Sequence, residues 1–322
     1  MAQDQFSTLL YRTSVCGSLL GATATLYLIA GLGGFIESPL LNVPTAVGIS
    51  LAAVFFLYAF FVSMLHKNWW RLLLWLLILL VLGAEIVLGF LPPTARDELT
   101  HHLAIPRLYV KAGRILEVPF APYSYYPMLL DMLYTPWVRW GWDSIPKLIH
   151  GLYGFLTALL LYAYLSRRLS SIYGLLGFFF FIFTPAILRL GSWAYVDLGM
   201  TFYATASLLC LLRWSEESGG KQWLILAGLS AGFALATKPN GLLVFLVLFF
   251  VLAFLMASRV HRDGVGKVTS QVLLFAFLAL VSLSPWLLKN LAWTGNPLFP
   301  FFTGFLGGGG ESGGEPGLGL LD

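Results

Sequence analysis

Long apolar runs recur along almost the whole chain and constrain its fold more than any other feature. A helix that crosses a hydrocarbon layer about 30 Å thick needs about 20 mostly apolar residues, each rising about 1.5 Å. Runs of this kind lie near 14–36, 43–65, 69–91, 145–165, 172–190, 198–214, 223–237, 241–258 and 268–288, the one at 223–237 being the shortest. The first is longer than a signal-peptide core and has no small-residue cleavage site ahead of a polar segment, so it reads as a retained span. Composition agrees: 58% of residues are hydrophobic, 11% are charged, and the mean hydropathy is +0.82. With so little charge, 322 residues could not cover two water-soluble cores with polar surface. The expected fold is all-α: a polytopic transmembrane helical bundle of about nine spans, with a long outer loop containing interfacial helices. The transmembrane module is expected over 1–305, the outer loop over 92–144, and a Gly-rich flexible tail over 306–322.

The net charge of +4 and the isoelectric point near 9.0 would suit a nucleic-acid partner only if the cations formed a patch. They are instead distributed by side. Lys67 and Arg71, then Arg167 and Arg168, then Arg213 and Lys221, then Arg259, Arg262 and Lys267 fall at alternate junctions, on the same side as Arg12. The opposite short loops carry the single cations Arg189, Lys238 and Lys289. By the positive-inside bias the N-terminus is cytoplasmic, in the cell (inner) membrane, and the face bearing the long loop is periplasmic or outside. The basic balance is thus a topogenic signal, and no nucleic-acid partner is implied. Cys16 and Cys210 lie inside apolar runs and supply no disulfide framework.

The 92–144 segment is too long and polar for a turn, and it keeps Arg96, Arg107, Lys111, Arg114 and Arg139 on the face where the bias disfavours cations. It opens with adjacent acids, Asp97 and Glu98, followed by His101 and His102. Acids in this position suit the positive end of a helix dipole as well as catalysis. Arg107, Lys111 and Arg114 recur at i, i+4 and i+7, beside an apolar stripe of Leu99, Leu103, Pro106 and Val110. Such a helix would lie in the interface. Its cations would either snorkel to lipid phosphates or, beside the acids, hold the phosphate of a lipid-linked substrate. Pro119, Pro122 and Pro127 with Tyr123, Tyr125 and Tyr126 give a stiff amphipathic stretch, and Trp137, Trp140 and Trp142 mark a return to the interface.

Asp197 and Lys238 stand on the same expected face, each beside a helix end. Glu85 lies inside the third apolar run, and an acid within a span is a functional candidate by default.

At these residues the sequence resembles the GT-C superfamily of membrane glycosyltransferases, nearest the branch related to protein O-mannosyltransferases and lipid A aminoarabinose transferases. The matching elements are Asp97-Glu98 with His101 and His102, Tyr126-Pro127, Tyr195-Val196-Asp197-Leu198, Thr237-Lys238, and Ser284-Pro285-Trp286 running on to Gly295-Asn296-Pro297. Their order spans most of 69–302. The chain departs from the family in placing two apolar runs before the one that leads into the acidic pair. The family also continues with further spans or a soluble domain where this chain enters its Gly-rich tail, so a C-terminally shortened version is expected.

The resemblance implies an enzyme, a hexosyl- or pentosyltransferase, that moves a sugar from a polyprenyl-phosphate donor to a glycan, lipid or protein acceptor on the outer face. A polyprenyl phosphate is already an adequate leaving group, so the donor side needs charge neutralisation more than an acid. The acceptor hydroxyl needs one base for an inverting displacement. Asp97 is assigned that role, with Glu98 and Asp197 orienting the acceptor or holding Asp97. Lys238, Arg107, Lys111 and Arg189 are candidates for the phosphate, and His102 and Tyr126 for substrate contact. No ligand spacing suggests structural zinc; a divalent ion bridged by Asp97 and Asp197 is left open, and the metal is unknown. A transporter or flippase for lipid-linked sugars, which would use intramembrane groups such as Glu85, and an inactive remnant stand as alternatives.

Overall fold

A computed structural model describes residues 2–64, 69–216, 220–257 and 264–307 of the 322-residue chain. Lys67, Glu217, Arg259, Arg262, Asp263 and nearly all of the Gly-rich tail lie outside the described residues. Three long helices come first: α1 (Ala2–Leu32), α2 (Pro39–Met64) and α3 (Trp69–Gly89). The loop region follows, with a π-helical turn (Glu98–His102), α4 (Ala104–Ala112), a 3-10 turn (Pro122–Tyr125) and α5 (Leu129–Arg139). The second half holds α6 (Ser144–Arg168), α7 (Ser171–Ile182), α8 (Pro185–Gly191), α9 (Asp197–Ser215), α10 (Lys221–Thr237), α11 (Gly241–Ala257), α12 (Val265–Thr294) and the short α13 (Thr303–Leu306). The described residues form no strand, as the periodicity predicts.

Helix α6 is the centre of the bundle, buried along most of its length between α1, α5, α7 and α9. Small residues set the closest approaches. Gly228 and Gly232, four apart on α10, face α12, and a Cβ on Gly232 would stand 2.5 Å from the Ala279 carbonyl oxygen. Dispersion and backbone proximity drive such packing when lipid offers no hydrophobic advantage to helix association. Outward faces remain apolar: Leu72, Leu76, Leu80 and Val87 on α3, Leu243, Phe250 and Phe254 on α11, and Leu273, Phe277 and Leu288 on α12 are exposed. A surface this apolar is a liability in water and is suited to a bilayer. The chain is an integral membrane protein.

The expected count of nine spans is not matched. Among the described residues, five helices are long and apolar enough to cross: α1, α2, α3, α6 and α12. The apolar run at 172–190 is broken at Phe183-Thr184 ahead of Pro185, so α7 and α8 meet at 66° and count as a sixth span only if taken together. Helix α10 stops at 17 residues, α11 is described over the 17 residues Gly241–Ala257, and α9 begins on Asp197 and ends beside Arg213.

Charges sort between the ends of the bundle. At one end Arg167, Arg168 and Arg213 converge on Glu216. At the other lies the 92–144 region, which does contain short helices. The interfacial helix differs in register from expectation. Gly113, at φ 67°, ends α4, so Arg114 lies beyond the helix that carries Arg107 and Lys111. The buried side of α4 is Ile105, Pro106 and Tyr109, whereas Leu99 is exposed on the preceding turn. A left-handed glycine cap ends the periodicity that the i, i+4, i+7 spacing had suggested.

Candidate active site

Pro92 and Pro93 follow the last turn of α3, and their missing N–H groups end the helix. The chain then turns at Ala95 and starts again on the acidic pair. Adjacent in sequence, the two acids occupy opposite environments. Glu98 is fully buried and accepts from three backbone N–H groups: Thr94 at 3.1 Å, Ala95 at 2.9 Å and Ala194 at 2.6 Å. The first two tie the turn to the segment just before it; the third fastens it to the α8–α9 connection, 96 residues later. Asp97 is half-buried, and its carboxylate makes no ion pair or hydrogen bond with a described side chain.

Asp97 lines a polar cavity of about 260 Å³ together with His101, His102, Tyr126, Asp131 and Lys238. Each wall is held by its own contact. His102 Nδ1 lies 2.8 Å from Asp131 Oδ1, and both side chains are buried. The His101 ring stacks on Tyr123, with centroids 4.3 Å apart, and Tyr126 stacks on Phe301 at 6.0 Å. Burial, with the neighbouring His102 adding to it, holds the His101 imidazole down to about 4, although Asp131 and Asp97 pull the other way. It is therefore neutral at pH 7, and Lys238 brings an ammonium group to the same cavity wall.

Lys238 follows the last turn of α10, where Pro239 prevents the helix from continuing. Asp197 opens α9, where the helix dipole favours an acid. The two meet in an ion pair of 2.9 Å, about a third exposed. An exposed pair of this kind contributes at most about 1 kcal/mol to stability. One N–H of the ammonium is engaged by Asp197, which leaves donors for a ligand.

The connection before Asp197 is fastened from several sides. His150 Nδ1 lies 2.8 Å from the Trp193 carbonyl oxygen, while its Nε2 accepts from the Leu198 N–H at 2.9 Å. The Tyr134 hydroxyl donates to the Tyr195 carbonyl. The Tyr195 phenol, against the Asp97 backbone, is raised above its usual range, chiefly by burial.

Of the residues singled out from sequence, Asp97, His102, Tyr126 and Lys238 line one cavity, and Asp197 is joined to it through Lys238. The others lie outside the lining. Glu98 is committed to backbone donors, Arg107 pairs with Asp143 at 2.5 Å, Lys111 is exposed at the end of α4, and Arg189 is exposed over the Trp193 ring at 4.8 Å. Sequence reasoning missed Asp131 and His150. Asp131 had a visible signal: it is the one acid in the apolar stretch Leu129–Arg139. His150 had none, since its partners come from a connection some 40 residues later. Among the described residues, no group of three or more His, Cys, Asp or Glu side chains is arranged to hold a metal ion.

Residues 147–295 match the family model described as dolichyl-phosphate-mannose-protein mannosyltransferase, a GT-C family domain. The match contains His150, Asp197 and Lys238 and begins after Asp97 and Asp131. No curated protein and no solved structure matches the chain.

Proposed function

Because residues 147–295 match a family model of GT-C-type membrane glycosyltransferases, we propose that the chain transfers a sugar from a polyprenyl-phosphate donor to an acceptor hydroxyl in the outer cavity. The observation that carries this reading is the single cavity lined by an unengaged carboxylate, Asp97, and an ammonium with free donors, Lys238. In the step, Asp97 takes the proton of the acceptor hydroxyl while its oxygen forms a bond to the anomeric carbon. The bond from that carbon to the phosphate oxygen breaks, and its electron pair leaves with the polyprenyl phosphate. Charge grows on the departing phosphate, and an ammonium preorganised there stabilises the transition state. Attack opposite the leaving group inverts the anomeric centre.

Asp197 orients Lys238, and Glu98 holds the turn that presents Asp97. The His102–Asp131 pair and Tyr126 form the polar and aromatic wall for the sugars. Arg107, Lys111 and Arg189 are assigned to the membrane surface and lipid phosphates rather than to the leaving group. The match's name couples dolichyl-phosphate mannose with a protein acceptor, so mannose onto protein is the first pairing to test, ahead of glycan and lipid acceptors. The active face is proposed to be periplasmic or outside, opposite the Arg167, Arg168 and Arg213 end.

Membranes containing the chain are expected to move label from polyprenyl-phosphate [³H]mannose into a protease-sensitive product. Control membranes lacking the chain should not. Donor left intact with every acceptor class supplied would contradict the reading.

A further inference from the structure

Glu85 and Trp137 take no part in the outer cavity, yet both are buried and they share a second one. This cavity, about 300 Å³, lies between α2, α3, α5 and α6, with Ile49, Phe56, Leu82 and Phe155 among its apolar walls. It opens past Leu57 and Ile86, which are exposed on the apolar outer surface. Its mouth therefore faces lipid.

Two polar atoms in this apolar wall lack partners. Glu85 is 8% exposed and Trp137 9%, and neither Glu85 Oε2 nor Trp137 Nε1 has a hydrogen-bond partner. Buried polar groups are rarely left so, because each forfeits its water contacts without replacement. The carboxylate is also confined on one side: a Cβ on Gly191 would stand 2.6 Å from Oε2. An unsatisfied acceptor and an unsatisfied donor on one cavity together complement a hydroxyl, which donates to the first and accepts from the second. Charge narrows the choice. The described lining holds no Lys or Arg, so a phosphate headgroup would enter without a counter-ion and beside an acid.

We propose that this crevice binds a neutral lipid of the diacylglycerol class, its chain lying between α2 and α3 and its free hydroxyl bridging Glu85 and Trp137. The site is chemically opposite to the Lys238 cavity and does not depend on the transferase reading.

The test uses the full chain in phosphatidylcholine nanodiscs doped with a diacylglycerol carrying a diazirine in one acyl chain. Phosphatidic acid with the same chains serves as the comparison. Mass spectrometry of the crosslinked peptides should place the diacylglycerol label on 49–57 and 82–86. Trp137→Phe keeps the ring and removes the donor, and Glu85→Met removes the acceptor. Each should lower labelling of those peptides roughly five- to tenfold, the loss expected for one hydrogen bond, with labelling elsewhere unchanged. Unchanged labelling in Trp137→Phe, equal labelling by phosphatidic acid, or label confined to other peptides would each overturn the proposal.

Discussion

Asp97 and Glu98 separate by environment into an unengaged carboxylate and one committed to backbone donors, and their substitutions should separate in the same way. Glu98→Gln replaces one acceptor oxygen with an NH₂ group that cannot accept, so at least one of its three N–H bonds is lost. The expected cost is about 1–3 kcal/mol, read as a lower thermal midpoint in detergent, whereas Asp97→Asn should leave that midpoint nearly unchanged. His101 supplies a pH signature. Its folded value of about 4 lies below the ordinary 6.5, so between these two values the unfolded chain binds a proton that the folded chain does not. Its contribution is therefore complete above pH 6.5 and is lost as pH falls toward 4. His101→Phe, which keeps a ring against Tyr123, should flatten the fall of the thermal midpoint with acidification over that window. At this scale the sequence located the acidic pair, both histidines, Asp197 and Lys238. It could not tell which acid was free, because that depends on the Ala194 amide, a contact made only in the fold.

Elements were legible where hydropathy alone decides them. Helices α1, α2, α3, α6 and α12 stand near the expected runs because each keeps a long window with few charged residues. The run at 172–190 failed as one straight span because Pro185 cannot donate and ends the preceding helix. The i, i+4, i+7 cations failed as a helical face because Gly113 stops α4 one residue before Arg114. Glycines at the spacing of 228 and 232 mark a close helix contact that composition does not reveal. Gly232→Val would force side-chain atoms into the α12 backbone at Ala279. A loss of about 1–3 kcal/mol is expected from such overpacking, measured as resistance to thermal aggregation in detergent, while Gly48→Val, which faces open space, should have little effect.

For the whole molecule, the separation of charge is the property that joins fold to chemistry. One end of the bundle gathers Arg167, Arg168 and Arg213 on Glu216, and the other presents Asp97, Asp131, His102 and Lys238 to a polar cavity. A sequence with 11% charged residues, read by side, already pointed to that second end. What it could not supply was the packing of α9, α10 and the loop helices, which brings scattered polar residues to one cavity. We propose Asp97 as the base in a transfer from a polyprenyl-phosphate sugar. The most direct measurement compares wild type with Asp97→Asn in single-turnover transfer of labelled polyprenyl-phosphate mannose, with donor binding measured in parallel. Donor binding should be retained and the rate should fall about 10²–10⁴-fold, the range for loss of a general base; equal rates in the two proteins would contradict the assignment.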